Sequence, residues 1–194
     1  STTWKGWKIF TPDRSVYEWL GKDDLGVVLD FAKLRENLWN NAQNSGVEFL
    51  LGWKVKEITQ EEFGISVSLL NPKGVLRRRT FKWFVDATGY KRTFLSTRPT
   101  PDFESNDYFL KGEGIELTLQ GDLETNNDWE NRLTFFLGSK WVKYGYGWIF
   151  PMGNLQLKVG VCRLPPVYSN KLTSLNDSLK SLIETANLNK LRVI

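Results

Sequence analysis

Alternation of apolar and polar residues marks several short β-strands along this chain. Residues 65–69 (Ile-Ser-Val-Ser-Leu) alternate cleanly, which is typical of a strand with one buried face. Residues 7–10 and 16–20 are apolar-rich and flank the turn residues Thr-Pro-Asp-Arg, so they predict a β-hairpin. The same reasoning predicts further strands at residues 53–58, 75–80, 115–120, 132–137, 146–150 and 155–163.

Two segments have helical periodicity instead. In the first, apolar residues at positions 31, 34, 38 and 42 follow Asp30, a suitable N-cap, and Gly46 is placed to end the helix. The second is an amphipathic segment near the end of the chain, with apolar residues at Leu172, Leu175, Leu179, Leu182 and Ile183.

Two apolar runs lack alternation and are also predicted to be strands. They are residues 47–51, directly after the first helix, and residues 81–85. A nearly continuous apolar run is typical of a strand that is covered on both faces. With the first helix, these runs indicate part of a layered α/β unit whose first strand lies outside the chain.

Composition excludes several kinds of site. The chain has one cysteine, Cys162, and no histidine, which rules out a disulfide framework, the usual zinc sites and a histidine-based triad within it. In a strand pattern, Cys162 is interpreted as a small buried hydrophobe. No segment has the length of a membrane span or the features of a signal peptide, so a cytoplasmic, soluble protein is predicted.

The chain is mildly basic, with a net charge of +4. The densest basic run, Arg77-Arg78-Arg79, follows a turn at residues 71–74 and is interpreted as the charged edge of a hairpin rather than a phosphate site. No nucleic-acid-binding module accompanies it, so no nucleic-acid partner is predicted.

Aromatic residues are abundant, with nine Trp, twelve Phe and six Tyr. Such a surplus indicates either flat apolar contact surfaces or buried aromatics in a β-rich core. The alternation in residues 146–150 (Tyr-Gly-Trp-Ile-Phe) places Tyr146, Trp148 and Phe150 on one face of a strand, which fits both interpretations.

One motif ends the apolar run at residues 81–85 and consists of Asp86, Ala87, Thr88 and Gly89. Small residues at the carboxyl end of a strand let the backbone approach a dinucleotide closely. The second motif consists of the Tyr-x-Trp-x-Phe pattern of residues 146–150, then Pro151, a glycine turn and the Val-Gly-Val of residues 159–161.

Together these motifs resemble the FAD-dependent oxidoreductases of the geranylgeranyl reductase and p-hydroxybenzoate hydroxylase-like superfamily, over residues 27–161. The resemblance implies an α+β fold with mixed β-sheets and few helices, forming the interior part of a two-domain flavoenzyme. It assigns residues 1–24 to a substrate-domain hairpin, 25–90 to part of the FAD-binding domain, and 91–194 to the substrate-domain sheet and the start of a C-terminal helix.

The resemblance also implies a function. The intact enzyme would use FAD to move a hydride to or from a carbon–carbon double bond of a prenyl or other apolar substrate. Asp86, Ala87, Thr88 and Gly89 would lie beside the flavin, and Tyr146, Trp148, Phe150 and Pro151 would line the substrate pocket. NAD(P)H as the reductant and peripheral contact with a membrane are left open. No general acid or base stands out, and Cys162 is a remote candidate.

The chain departs from the family pattern in two respects. Phe31 stands where many members have an arginine, and no Gly-x-Gly-x-x-Gly opens a βαβ unit. We expect that motif upstream of Ser1 and a Gly-Asp segment after Ile194, so the remainder of a parent polypeptide is a predicted partner. The isolated chain is then expected to be incomplete and inactive.

Two alternative functions remain. Flavin-dependent monooxygenases and halogenases share the scaffold, and halogenases show a related Trp-x-Trp-x-Ile-Pro pattern in which Tyr146 and Phe150 of this chain would be Trp and Ile. A non-catalytic, aromatic-rich module that binds lipid or carbohydrate would need no flavin motif at all.

Overall fold

The computed structural model describes residues 2–89, 93–94, 112–121, 129–164 and 172–194. The chain divides into two compact units, one formed by Ser1–Leu38 with Phe109–Ile194 and the other by Trp39–Tyr108. The strands of the first unit are β1 (Thr2–Trp4), β2 (Gly6–Phe10), β3 (Val16–Leu20), β4 (Gly26–Val28), β8 (Glu113–Gln120), β9 (Arg132–Leu137), β10 (Gly145–Gly153), β11 (Gln156–Arg163) and β12 (Arg192–Val193). Those of the second are β5 (Lys54–Glu61), β6 (Gly64–Leu70) and β7 (Leu76–Phe81), and the two helices of the described residues are α1 (Phe31–Asn44) and α2 (Leu175–Thr185).

The first unit is built on a seven-stranded sheet with the order β12-β8-β11-β10-β9-β2-β3. Its pairs are antiparallel except for β2 and β9, which run parallel with Gly6 opposite Arg132. The predicted N-terminal hairpin, β2 and β3, is thereby joined to the strands of the second half of the chain. The small β1–β4 ribbon contacts β10 and was not predicted.

One face of this sheet carries the hydrophobic core. Helix α2 packs against β8 and β11 on that side, and Ser174 caps its N-terminus by accepting a hydrogen bond from the backbone N–H of Asn176. The residues that fill this core are fully or almost fully buried: Leu119, Phe136, Ile149, Leu157, Val159, Val161, Leu179, Leu182 and Leu188.

The second unit holds a three-stranded antiparallel sheet with the order β5-β6-β7. The basic strand β7 lies at its edge, as predicted, and pairs along β6. Arg79 of β7 donates two hydrogen bonds to the carboxylate of Glu48, at 2.7 and 3.1 Å, and these bonds lower the pKa of Glu48. Within the same unit, Trp39 stacks on Phe49 with ring centroids 3.8 Å apart.

Helix α1 begins and ends where the sequence predicts. The carboxylate of Asp30 accepts hydrogen bonds from the backbone N–H groups of Ala32 and Lys33, and the bond from Lys33 is the main cause of its lowered pKa. Gly46 follows the helix with a φ of +79°, a conformation that suits glycine.

Two predicted strands were wrong. Residues 47–51 are not a strand, and of the predicted strand at residues 81–85 only Phe81, the last residue of β7, is in one. Trp83 and Val85 are 79% and 82% exposed instead of covered. A strand requires a hydrogen-bonded neighbour, and no strand of the described residues lies beside either run. Their apolar composition was interpreted as a sign of coverage on both faces, and this interpretation was wrong for the described residues, because Val47 and Leu51 are exposed as well.

The predicted fold class is confirmed, with mixed β-sheets and few helices. The predicted division into domains at residues 24 and 90 stays a prediction. The compact units are a separate description of the chain, with boundaries after Leu38 and after Tyr108. No helix in the part of the chain that the structure describes is long and apolar enough to cross a membrane.

Candidate functional site

The face of the seven-stranded sheet opposite α2 is lined with aromatic side chains. Directly paired residues of adjacent strands share a face, so the register places Tyr146, Trp148 and Phe150 of β10 on the same side as Phe135 of β9. We call this side the aromatic face, and its large apolar members are Trp7, Ile9, Tyr17, Trp19, Leu133, Phe135, Leu137, Tyr146, Trp148 and Phe150.

The central rings of the aromatic face contact one another. Trp148 lies between Tyr146 and Phe150, with centroids 5.8 and 6.2 Å away, and Phe135 packs edge-on to Phe150 at 5.4 Å. Trp148, Phe150 and Phe135 are half-buried, while Tyr146 is 40% exposed. Three of the four predicted wall residues, namely Tyr146, Trp148 and Phe150, therefore form one continuous aromatic surface that remains partly open.

Pro151 does not share this surface. It lies opposite Leu157 in the register, on the core side of the sheet, and it is buried. The register between β10 and β11 shifts between Pro151 and Gly153, where the strand bulges. Pro151 thus lies beside the bulge of β10 on the core face of the sheet and does not line the aromatic face.

The indole of Trp148 lies flat across the neighbouring strand β11. A Cβ atom added to Gly160, its register partner, would come within 2.2 Å of the indole ring, so only glycine leaves room for this orientation. The indole N–H donates a hydrogen bond of 3.2 Å to Glu116 of β8, and Lys158 donates one of 2.8 Å to the other oxygen of the same carboxylate.

Tyr146 and Cys162 form a polar pair at the end of the aromatic row. They lie directly opposite each other on β10 and β11. A side-chain hydrogen bond with Cys162 raises the pKa of Tyr146 above its ordinary value of 10.0, and partial burial raises it further. Cys162 is half-buried on this face, whereas a position within the hydrophobic core was predicted. Tyr146 therefore stays protonated and can donate through its hydroxyl across the neutral pH range.

The Asp86–Gly89 motif forms a hydrogen-bonded turn in the second unit. The Asp86 carboxylate accepts hydrogen bonds from the backbone N–H and the hydroxyl of Thr88, at 3.0 and 2.6 Å, and from the backbone N–H of Phe94 at 3.0 Å. The Thr88 hydroxyl oxygen in turn accepts a bond of 2.9 Å from Thr93. The two polar side chains of the motif therefore hydrogen-bond to each other and to the backbone N–H groups of nearby residues.

The exposed side of this turn suits a closely approaching ligand. Ala87, Thr88 and Gly89 are exposed, and Gly89 has a φ of +72°. A Cβ atom at Gly89 would meet nothing within 4 Å, so packing does not require glycine there. The left-handed backbone and the small side chains leave the main chain open, which fits contact with the flat or charged part of a dinucleotide.

Glu116 and Lys158 were not identified from the sequence. Both are charged residues in strands of alternating pattern, where solvent-exposed charges are ordinary. The available signal was Gly160, an isolated glycine within a strand, which indicates close approach of another group. Only the register shows that this group is the indole of Trp148.

Comparisons with known proteins agree with this picture, although no family model matches the chain. A digeranylgeranylglycerophospholipid reductase from Sulfolobus acidocaldarius is 28% identical over 163 residues, which cover 80% of this chain and 34% of the relative. The chain thus spans about a third of that curated relative.

Solved structures match nearly all of the chain. A geranylgeranyl bacteriochlorophyll reductase-like protein from Thermoplasma acidophilum superposes with a TM-score of 0.76 at 19% identity, covering 100% of this chain and 48% of that protein. A triple mutant of a flavin-dependent brominase has a TM-score of 0.65 at 15% identity, covering 98% of this chain and 49% of the brominase. These findings confirm the predicted resemblance and the fold.

Proposed function

We propose that this chain, which resembles the FAD-dependent oxidoreductases that include the geranylgeranyl reductases, forms part of an enzyme acting on carbon–carbon double bonds of a prenyl or other apolar substrate. The enzyme would add hydrogen to these bonds or remove it from them. The observation that carries this proposal is the aromatic face. It presents Tyr146, Trp148, Phe150 and Phe135 as a continuous, half-open apolar wall in a sheet whose core lies on its other side.

An apolar wall of this kind suits an isoprenoid chain. Contact between prenyl carbons and aromatic rings removes apolar area from water, at about 25 cal/mol per Å². A polar substrate would gain little there, because few hydrogen-bonding groups interrupt the rings. The digeranylgeranylglycerophospholipid reductase that resembles this chain is named for such a substrate.

FAD is the cofactor that we propose for the intact enzyme. Ala87, Thr88 and Gly89 would hold it through their exposed backbone, with Asp86 fixing the shape of their turn. The bound flavin supplies the hydride chemistry, while the protein binds and orients the apolar substrate and excludes water. NAD(P)H is proposed as the reductant, and a cytoplasmic location remains a prediction.

The proposal concerns a protein that carries this chain together with the rest of such a fold, because the matched relatives are two to three times as long as the aligned part. The test uses that full-length protein. We expect it to purify with a flavin absorbance spectrum. After reduction of the flavin, it should convert a geranylgeranyl lipid into products that carry two added hydrogen atoms for each double bond lost. Mass spectrometry measures this gain. A flavin-free protein, or a flavoprotein that leaves prenyl lipids unchanged, would contradict it.

The structural likeness to a brominase favours one second candidate, a flavin-dependent halogenase or monooxygenase. The same incubation separates the functions by product, because halogenation adds a halogen and hydroxylation adds an oxygen atom. Tyr146 and Phe150 occupy positions where the halogenase pattern has Trp and Ile, which supports the reductase. A non-catalytic binding module would bind lipid or carbohydrate without any flavin spectrum.

A further inference from the structure

The aromatic face changes character across the sheet. Its members on β2, β3, β9 and β10 are apolar, whereas those on β8, β11 and β12 are mostly polar or charged: Glu116, Thr118, Gln120, Lys158, Cys162 and Arg192. Trp148 crosses this boundary, because its ring starts on β10, covers Gly160 of β11 and reaches β8 through its N–H group.

We propose that Glu116 is the positioning residue for Trp148 and, through it, a determinant of which apolar chains the wall accepts. This inference rests on the proposed function, since it concerns the substrate wall of the same enzyme. Glu116 would not touch the reacting atoms, and its role would be to hold the indole flat.

The carboxylate of Glu116 accepts hydrogen bonds from both Trp148 and Lys158. One carboxylate oxygen accepts from the indole of Trp148 at 3.2 Å, and the other accepts from Lys158 at 2.8 Å. The side chain of Lys158 is only 18% exposed and that of Glu116 38%, so this ion pair is better shielded than an ordinary surface pair. Lys158 also lies 5.6 Å from the ring centroid of Phe31.

Packing alone does not fix the indole. Gly160 removes the obstacle beneath the ring but offers no directional bond, so the ring can lie flat without being required to. A half-buried indole N–H needs an acceptor, and Glu116 is the acceptor that the structure provides. Without it, the indole would leave the polar strands, and the wall at Tyr146 and Phe150 would change its width.

The position of Trp148 is measured directly in the full-length protein labelled with ¹⁵N at the tryptophan indoles. Its N–H resonance is identified as the one that disappears in Trp148→Phe. We expect Glu116→Ala to shift this resonance and to accelerate its hydrogen exchange by on the order of tenfold, the loss expected for a bond to a charged acceptor. Glu116→Gln, which keeps an acceptor oxygen, should restore most of the wild-type behaviour.

Glu113→Ala is the matched control. Glu113 lies on the same strand and pairs with Arg163 at 2.8 Å, but on the core side of the sheet. Its loss removes an ion pair of the same kind and should leave the Trp148 resonance in place. An unchanged Trp148 resonance in Glu116→Ala, or equal shifts in both variants, overturns the proposal.

A functional measurement completes the test. The ratio of kcat/KM for two prenyl substrates of different chain length should change by on the order of tenfold in Glu116→Ala and stay near wild type in Glu113→Ala. A released indole with an unchanged ratio overturns the role in specificity. If the wild-type flavoprotein reduces no prenyl substrate, the proposed function fails, while the resonance of Trp148 still decides whether Glu116 positions it.

Discussion

The two faces of the seven-stranded sheet both carry large apolar side chains, but these side chains differ in type and in burial. On the core face, Ile149, Val159 and Val161 are fully buried in the hydrophobic core to which α2 also contributes. On the aromatic face, larger side chains such as Trp148 and Phe150 remain only half-buried, and Tyr146 is 40% exposed. Branched aliphatic residues thus supply the stability, while rigid flat rings form a surface that is suited to contact another molecule.

The largest expected effect comes from the paired truncations Ile149→Ala and Phe150→Ala, which are neighbours on β10 that point to opposite faces. Ile149→Ala should lower the free energy of unfolding by about 2–5 kcal/mol, because it leaves a cavity in a closed core. Phe150→Ala removes a larger side chain but should cost less, since that side chain is already partly solvated. Chemical denaturation of both variants measures the difference, and a greater loss for Phe150→Ala would reverse the assignment of the faces.

A smaller effect is expected from adding one methyl group at a glycine on each face. At Gly147 the new Cβ would come within 2.2 Å of Leu182 of α2, so Gly147→Ala should cost about 1–3 kcal/mol through overpacking of the core. At Gly160 the new Cβ would meet the indole of Trp148 at the same distance, and that ring can move.

Gly160→Ala should therefore lose less stability than Gly147→Ala but change the environment of Trp148. The free energy of unfolding and the indole resonance of Trp148 report the two outcomes separately. A loss of stability at Gly160 equal to that at Gly147 would show that the indole is as confined as the core.

The smallest effect concerns the ionisation of Tyr146. The hydrogen bond with Cys162 is the main cause of the raised pKa of Tyr146. The protonated Tyr146 hydroxyl therefore stabilises the folded protein fully below the ordinary pKa of 10.0, and this stabilisation is lost as the pH rises through the raised pKa. Cys162→Ala should lower the pKa of Tyr146 toward 10.0, as followed by tyrosinate absorbance with Tyr146→Phe as the blank. An unchanged titration would show that the pair does not interact.

Local patterns predicted much of this architecture because strands and helix caps are local features. The period-two pattern located the hairpin β2–β3 and residues 132–137 of β9 correctly, and Asp30 and Gly46 marked the ends of α1. The alternation of Tyr146, Trp148 and Phe150 also predicted correctly that they share a face.

The remaining features depend on pairing between distant residues. Residues 47–51 and 81–85 have strand-like composition, but strand formation requires a partner that composition does not reveal. Glu116, Gly160 and Trp148 meet only because β8, β11 and β10 are neighbours in one register. Pro151 adjoins the aromatic run in sequence, yet alternation sends it to the other face.

The central claim is that Trp148 belongs to a substrate wall, and Trp148→Ala in the full-length enzyme tests it most directly. We expect the flavin content to stay nearly unchanged, kcat/KM for a prenyl substrate to fall, and the free energy of unfolding to decrease by clearly less than the roughly 3–5 kcal/mol typical of a buried aromatic. Denaturation and turnover of the same preparation give both quantities. A loss of 3–5 kcal/mol with normal specific activity in the folded fraction would instead show that Trp148 is a core residue, contradicting the account.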